Sequence, residues 1–185
     1  MDIIEAIYTR QSVSKVRPDP VPRELIERLL AAAVQAPNHH KVRPWRFIVL
    51  TGEALCRLGD VMAASLQRRQ PGVDPAALEV EKNRPLRAPV IIAVGVDKPS
   101  GPKVVEIENV CAAAAASQNI LLAAHGLGLG GMWRTGPAAI DPDVKKFLGL
   151  ESDQYLIGFL YIGYPEFERT PVLRPSYEDR TTWMS

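Results

Sequence analysis

Between Asn109 and Trp133 the chain carries no Asp, Glu, Lys or Arg. An uncharged run that long has to be buried, either in lipid or in protein, and about 20 apolar residues suffice to cross a bilayer. The content of the run decides for protein. Ser117, Gln118 and Asn119 sit near its centre, and Gly126, Gly128, Gly130 and Gly131 fill its end. Its alanines give little transfer energy. The run reads as a helix from about Ile107 to His125, buried nearly all round. A glycine-terminated turn at Gly126 fits its end. A subunit of 185 residues has few places to hide such a helix, which implies a subunit interface.

The rest of the composition narrows the class. With 22 basic and 21 acidic residues the net charge is +1, without the basic excess of a nucleic-acid binder. A content of 46% hydrophobic and 23% charged residues is that of an ordinary folded protein. The length fits one domain, residues 1–185. The start, MDIIEAIYTRQS, has no apolar signal region. Cys56 and Cys111 are far apart and form no CxxC pair. A cytoplasmic location with reduced thiols is expected.

Periodicity sets out the elements. Asp2 can cap a short helix with Ile3, Ile4 and Ile7 on one face, ending near Arg10. Arg23 to Gln35 is amphipathic, with Leu25, Ile26, Leu29, Leu30 and Ala33 on one side, and Ala36-Pro37-Asn38 stops it. Strands are expected at Trp45 to Leu50, at Pro89 to Val96, at Gly131 to Arg134 and at Tyr155 to Gly163. The second is nearly all apolar and must be covered on both faces. Helices are expected at Glu53 to Arg69, Ala76 to Lys82 and Asp141 to Phe147. This order gives a sandwich of the α/β or α+β kind with a small central sheet. The stretch after Pro165 has no core pattern; it is either disordered or laid across a partner subunit.

Three constellations carry chemistry. Arg10-Gln11-Ser12 stands where a helix ends and an extended run begins. A guanidinium and a hydroxyl two apart point the same way and grip a phosphate well; the plainer reading is a solvated arginine at a helix C-terminus. Pro37-Asn38-His39-His40-Lys41-Val42-Arg43-Pro44-Trp45 is a polar loop between prolines leading into a strand. It holds two histidines but too few other ligands for a metal. Gln35 and His39 share a face if the last helical turn continues. The third is Gly126-Leu127-Gly128-Leu129-Gly130-Gly131-Met132-Trp133-Arg134-Thr135. It formally contains GxGxxG, but it follows a helix and precedes a strand, the reverse of a dinucleotide fingerprint.

Together these pieces resemble the flavin-dependent nitroreductase family, in its compact YdjA-type branch. The closing Ile157-Gly158-Phe159-Leu160-Tyr161-Ile162-Gly163-Tyr164-Pro165 matches as well, in the same order and spacing. The resemblance implies an α+β fold, a three-layer sandwich with a central, mostly antiparallel sheet flanked by helices. It implies a homodimer with an FMN in each of two interface sites, NADH or NADPH as electron donor, and the tail at 166–185 packed on the partner subunit. By motif match, Arg10 and Ser12 hold the FMN phosphate and ribityl end, with Gln11 between them. Arg134 joins the phosphate site, with Trp133 and Thr135 beside it. Gln35 and His39 reach the flavin from the other subunit, and Gly130 and Gly131 let the main chain pass close to the ring. No nucleic-acid or membrane partner is implied.

The chain departs from the family pattern twice. Where many members carry a basic residue two after the motif serine, it has Ser14, with Lys15 next to it. Where many have Asn and Gln before Pro-Trp, it has Lys41 and Arg43. The expected activity is ping-pong transfer of reducing equivalents to nitroaromatic, quinone or similar flat acceptors, with the chemistry at the flavin and no catalytic side chain required. The rivals are other flavin chemistry, such as reductive dehalogenation or enone reduction, and a flavin-binding carrier or sensor.

Overall fold

The computed structural model describes residues 2–168, 170 and 172–185. Its centre is β2 (Val90–Val96), in which all seven residues are buried. A strand apolar on both faces needs a layer on each. β1 (Trp45–Thr51) and β4 (Tyr155–Gly163) flank it, and β3 (Gly130–Arg134) lies outside β4. The four-stranded sheet runs β1-β2-β4-β3, every pair antiparallel. A single parallel bridge, Ser12 to Gly131, adds the N-terminal segment to the β3 edge.

Side chains alternate between two cores. Val90, Ile92, Val94 and Val96 face a cluster with α2 (Arg23–Ala33) and α5 (Glu106–Gly126). Ile91 and Ala93 face a second cluster. That cluster is closed by α3 (Glu53–Arg69), α6 (Pro137–Ile140) and α7 (Pro142–Phe147), with α4 (Pro75–Lys82) packed on α3. The three-layer α+β arrangement expected from the sequence is the one observed. The four-residue α6 had no periodic signal to reveal it.

The long uncharged helix forms, but it is not buried all round. Ala112, Ala113, Ala116, Ile120 and Ala124 are in the core. The short side chains let α2 and the sheet approach closely, and Asn119 Nδ2 ties the two helices by donating to the Ala32 carbonyl at 3.2 Å. Ile107, Cys111 and Gln118, on the outer face, stay exposed within the subunit. No helix among the described residues is long and apolar enough to cross a membrane.

Gly126 does not supply the helix stop. The left-handed residue is Gly128, with φ +77°. Leu129 N–H donates to the Ala124 carbonyl at 2.8 Å and Gly128 N–H to that of His125 at 3.1 Å, a Schellman closure. Leu129 is fully buried by it, which fixes the direction in which β3 leaves.

α1 (Ile3–Thr9) is capped as expected, Asp2 accepting from Glu5 N–H at 2.9 Å. Its apolar face meets no core: Ile3, Ile4, Ile7 and Tyr8 are 49–76% exposed.

Asp141 ties α3 to α7. It is 3% exposed, caps α7 by accepting from Asp143 and Val144 N–H, and also accepts from Ser65 Oγ at 2.5 Å and Arg68 Nη2 at 2.6 Å. Burial acts to raise its pKa, but these donors outweigh it and hold the carboxyl below its usual range. A depressed native pKa gives stability that is complete above the unfolded value and is lost as pH falls through the native one. Asp141→Ala should therefore cost about 3 kcal/mol in denaturant unfolding at neutral pH. The loss should shrink as pH drops below the ordinary carboxylate range.

Candidate functional site

α1 stops at Arg10, whose N–H still reaches the Ala6 carbonyl while its ψ has turned to 130°. The chain then runs extended along the sheet margin. Val13 N–H donates to the Gly131 carbonyl at 3.0 Å, and Arg17 N–H donates to that of Tyr164 at 2.7 Å. Arg10 to Ser12 are thereby pinned beside β3, although they are far from it in sequence.

The glycines of β3 serve this docking. A Cβ on Gly130 would sit 2.9 Å from Val13 Cβ, and one on Gly131 would sit 2.7 Å from a Leu121 methyl. The close approaches at these glycines are therefore to Val13 and α5, a packing role that the motif alone did not convey.

Arg10 does not stand alone. Arg174, from the C-terminal tail, donates from Nη2 to the Arg10 carbonyl at 3.3 Å, and Gln11 Nε2 donates to the Thr170 carbonyl at 3.0 Å. Burial, and then the Arg174 charge, lower the pKa of the Arg10 guanidinium, which stays protonated all the same. Neither arginine forms an ion pair among the described residues. Two neighbouring guanidinium groups repel unless an anion sits with them. Arg174 was invisible to motif reading because it lies in a tail with no pattern of its own.

The same tail engages Lys15. Its ammonium lies 5.9 Å from the centre of the Phe167 ring, and its carbonyl accepts from Glu166 N–H at 3.3 Å. Ser14 is exposed.

β3 offers an edge. The Gly131 carbonyl points outward to Val13, so by strand alternation the Trp133 N–H and carbonyl point outward too. Beyond Gly131 no backbone group bonds that edge among the described residues. The Trp133 ring turns inward, its Nε1 donating to the Ile157 carbonyl at 2.9 Å. Arg134 turns to the opposite face, its guanidinium 5.3 Å from the centre of the Tyr161 ring. The group that meets Arg10 is thus Arg174, while Arg134 lines a cavity beneath α4. Thr135 is exposed at the strand end.

Gln35 and His39 do not share a helical face, because α2 ends at Ala33. Gln35 donates to its own helix at the Ala31 carbonyl. His39 opens a 3₁₀ turn, its Nε2 3.7 Å from Glu108 on α5. The loop that follows is strained: His40, Lys41 and Arg43 have φ of 50°, 56° and 53°. Such strain in non-glycine residues collects at functional sites. Asn38 Oδ1, accepting from Arg43 N–H at 2.9 Å, helps hold the shape.

The pattern of the nitroreductase family matches residues 7–164. The chain belongs to the nitroreductase family. Membership makes it an oxidoreductase, and the match takes in the Arg10 segment, β3 and β4. A protein of Escherichia coli strain K12 named "Putative NAD(P)H nitroreductase YdjA" is 32% identical over 169 residues, covering 91% of each chain. The crystal structure of a nitroreductase-like family protein from Bacillus cereus superimposes with a TM-score of 0.87 at 26% identity, covering 100% of this chain and 96% of that one. A nitroreductase-family structure from Desulfovibrio desulfuricans, described as a complex with FMN, superimposes with a TM-score of 0.74 at 25% identity, covering 96% and 94%.

Three substitutions separate the roles of these backbone positions. Gly130→Ala drives a methyl against the branched Cβ of Val13 and should cost about 1–3 kcal/mol in stability. Gly131→Ala meets only side-chain ends and should cost less. Arg43→Gly removes left-handed strain and should leave unfolding stability equal, or higher by up to about 1 kcal/mol. Paired denaturant titrations measure all three.

Proposed function

We propose that the chain is an FMN-dependent oxidoreductase that passes reducing equivalents from NADH or NADPH to a flat acceptor, nitroaromatic or quinone-like. The observation that carries this is the Arg10–Arg174 pair at the open edge of β3. Paired guanidinium groups without a carboxylate suit a phosphate. Unpaired backbone donors and acceptors a few residues along the strand suit the polar edge of a planar ring. Arg10, Ser12 and Arg174 would hold the phosphate, with Gln11 fixing the tail over it. The outward main-chain groups of Trp133 and the Thr135 segment would orient the ring. Bound FMN would supply the two-electron chemistry that no side chain in this chain provides.

The dimer completes the site in this reading. The uncovered faces of α1 and α5, including Ile3, Ile7, Tyr8 and Ile107, are the apolar surface that a second copy would bury. Gln35 and His39 would then face the partner's flavin, beside the strained loop carrying Lys41 and Arg43. The tail at 166–185 touches its own chain at Arg10 and Gln11, while Leu173, Trp183 and Met184 stay 85–97% exposed. Those side chains would pack on the partner.

Anaerobic mixing of the FMN-loaded protein with NADH or NADPH tests the reading. Bleaching of the flavin absorbance followed by recolouring with a nitroaromatic or quinone is expected. A protein that takes up no FMN refutes it, and one that keeps an oxidised flavin with both nicotinamides is a carrier or sensor instead. Arg10→Ala and Arg174→Ala should each weaken FMN binding by about 1.5–3 kcal/mol. Unchanged affinity would remove that arginine from the phosphate site.

A further inference from the structure

Beneath α4, between the C-terminal half of α3 and the β3–β4 edge, lies a cavity of about 710 Å³. That volume is within the usual range for small-molecule sites, about 300–1,000 Å³. Its lining is unusual in charge. Arg69, Arg84 and Arg134 all reach it, and Glu81 is the one carboxylate among the lining residues. Glu81 is 8% exposed and is already paired with Arg84 at 2.8 Å. Three cations therefore share one anion in a cleft that opens to solvent on the Arg69 side.

The hydrogen bonding is incomplete in the same place. The Nε groups of Arg84 and Arg134 are enclosed and meet no acceptor among the described residues. Buried guanidinium donors normally find one. Most of the remaining lining is apolar or aromatic, with Met132, Phe159 and Tyr161 contributing. Burial pushes the Tyr161 phenol up to about 12, although Arg134, Arg84 and Arg87 pull the other way. That wall is therefore a poorly solvated one, where an unpaired charge is costly and a paired one holds firmly.

We propose that this cavity binds a flat aromatic carboxylate, its acid group taken by Arg84 and Arg134 and its ring lying along Tyr161 and Phe159. A free phosphate would satisfy the arginines but leave the apolar walls unfilled. A neutral aromatic would fill the walls and leave the excess positive charge without an anion. An aromatic acid does both, and a guanidinium fork matches a carboxylate in two parallel bonds. Trp133 and Thr135 belong both to this lining and to the strand edge assigned above to the flavin. The acid would therefore be the electron acceptor. That last step rests on the proposed flavin chemistry; binding in the cavity does not.

The test compares 4-nitrobenzoate with its uncharged isostere 4-nitrobenzamide by calorimetry on the FMN-loaded protein, with no reductant present. The acid should bind at least tenfold more tightly. Arg84→Gln should remove that preference while FMN absorbance per subunit stays unchanged. Glu81→Gln releases Arg84 from its partner and should tighten acid binding several-fold, an increase that misfolding does not produce. Arg69→Gln should weaken the acid by a smaller factor. Equal affinity for acid and amide overturns the proposal, and so does an acid affinity indifferent to both Arg84→Gln and Glu81→Gln. Loss of FMN in Arg84→Gln would make the cavity part of the flavin site and overturn it as well. A colourless protein that still binds 4-nitrobenzoate would refute the flavin reading and leave this one standing.

Discussion

The fold depends on one packing relation, the burial of α5 against β2 and β4 with α2 laid over it. Alanines at 112, 113, 116 and 124 keep the contacting surface nearly flat. With larger side chains α2 would stand further off, and Asn119 would not reach the Ala32 carbonyl. The direction of α5 then decides where its C-terminal closure points. The Gly128 turn and the buried Leu129 launch β3 along β4, and β3 in turn receives the Arg10 segment through Gly131. The Arg10 segment is thus placed by helix packing rather than by anything local to it.

A second consequence is the division of labour across β3. Alternation sends Trp133 into the α5 core and Arg134 into the α4 cavity, while the main chain faces the open margin. One short strand therefore presents three chemically different surfaces: an apolar anchor, a cation and a row of amide groups.

Much of this was readable in the residues. β2, β4, α3 and α5 follow from unbroken or periodic apolar patterns, and the Asp2 cap and the stop after α2 follow from local chemistry. The nitroreductase membership followed from four short motifs in register. What escaped was set by long-range contact. Gly126 and Gly128 are equivalent in sequence, and only the buried Leu129 selects the latter as the left-handed residue. The partner of Arg10 sits 164 residues away in a patternless tail. The direction of Arg134 depends on strand parity, which a one-residue change in register would invert.

The tail contact also separates closing the core from completing the margin of β3. Every strand of the four-stranded sheet ends by Gly163, so Arg174 adds nothing to the sheet. A chain that stopped short of the tail would keep both hydrophobic clusters yet carry only half of the arginine pair at the β3 margin. Under the proposed phosphate role, such a chain would fold and yet hold FMN less tightly. Folding alone would not reveal the omission, because no buried residue of either cluster lies beyond β4.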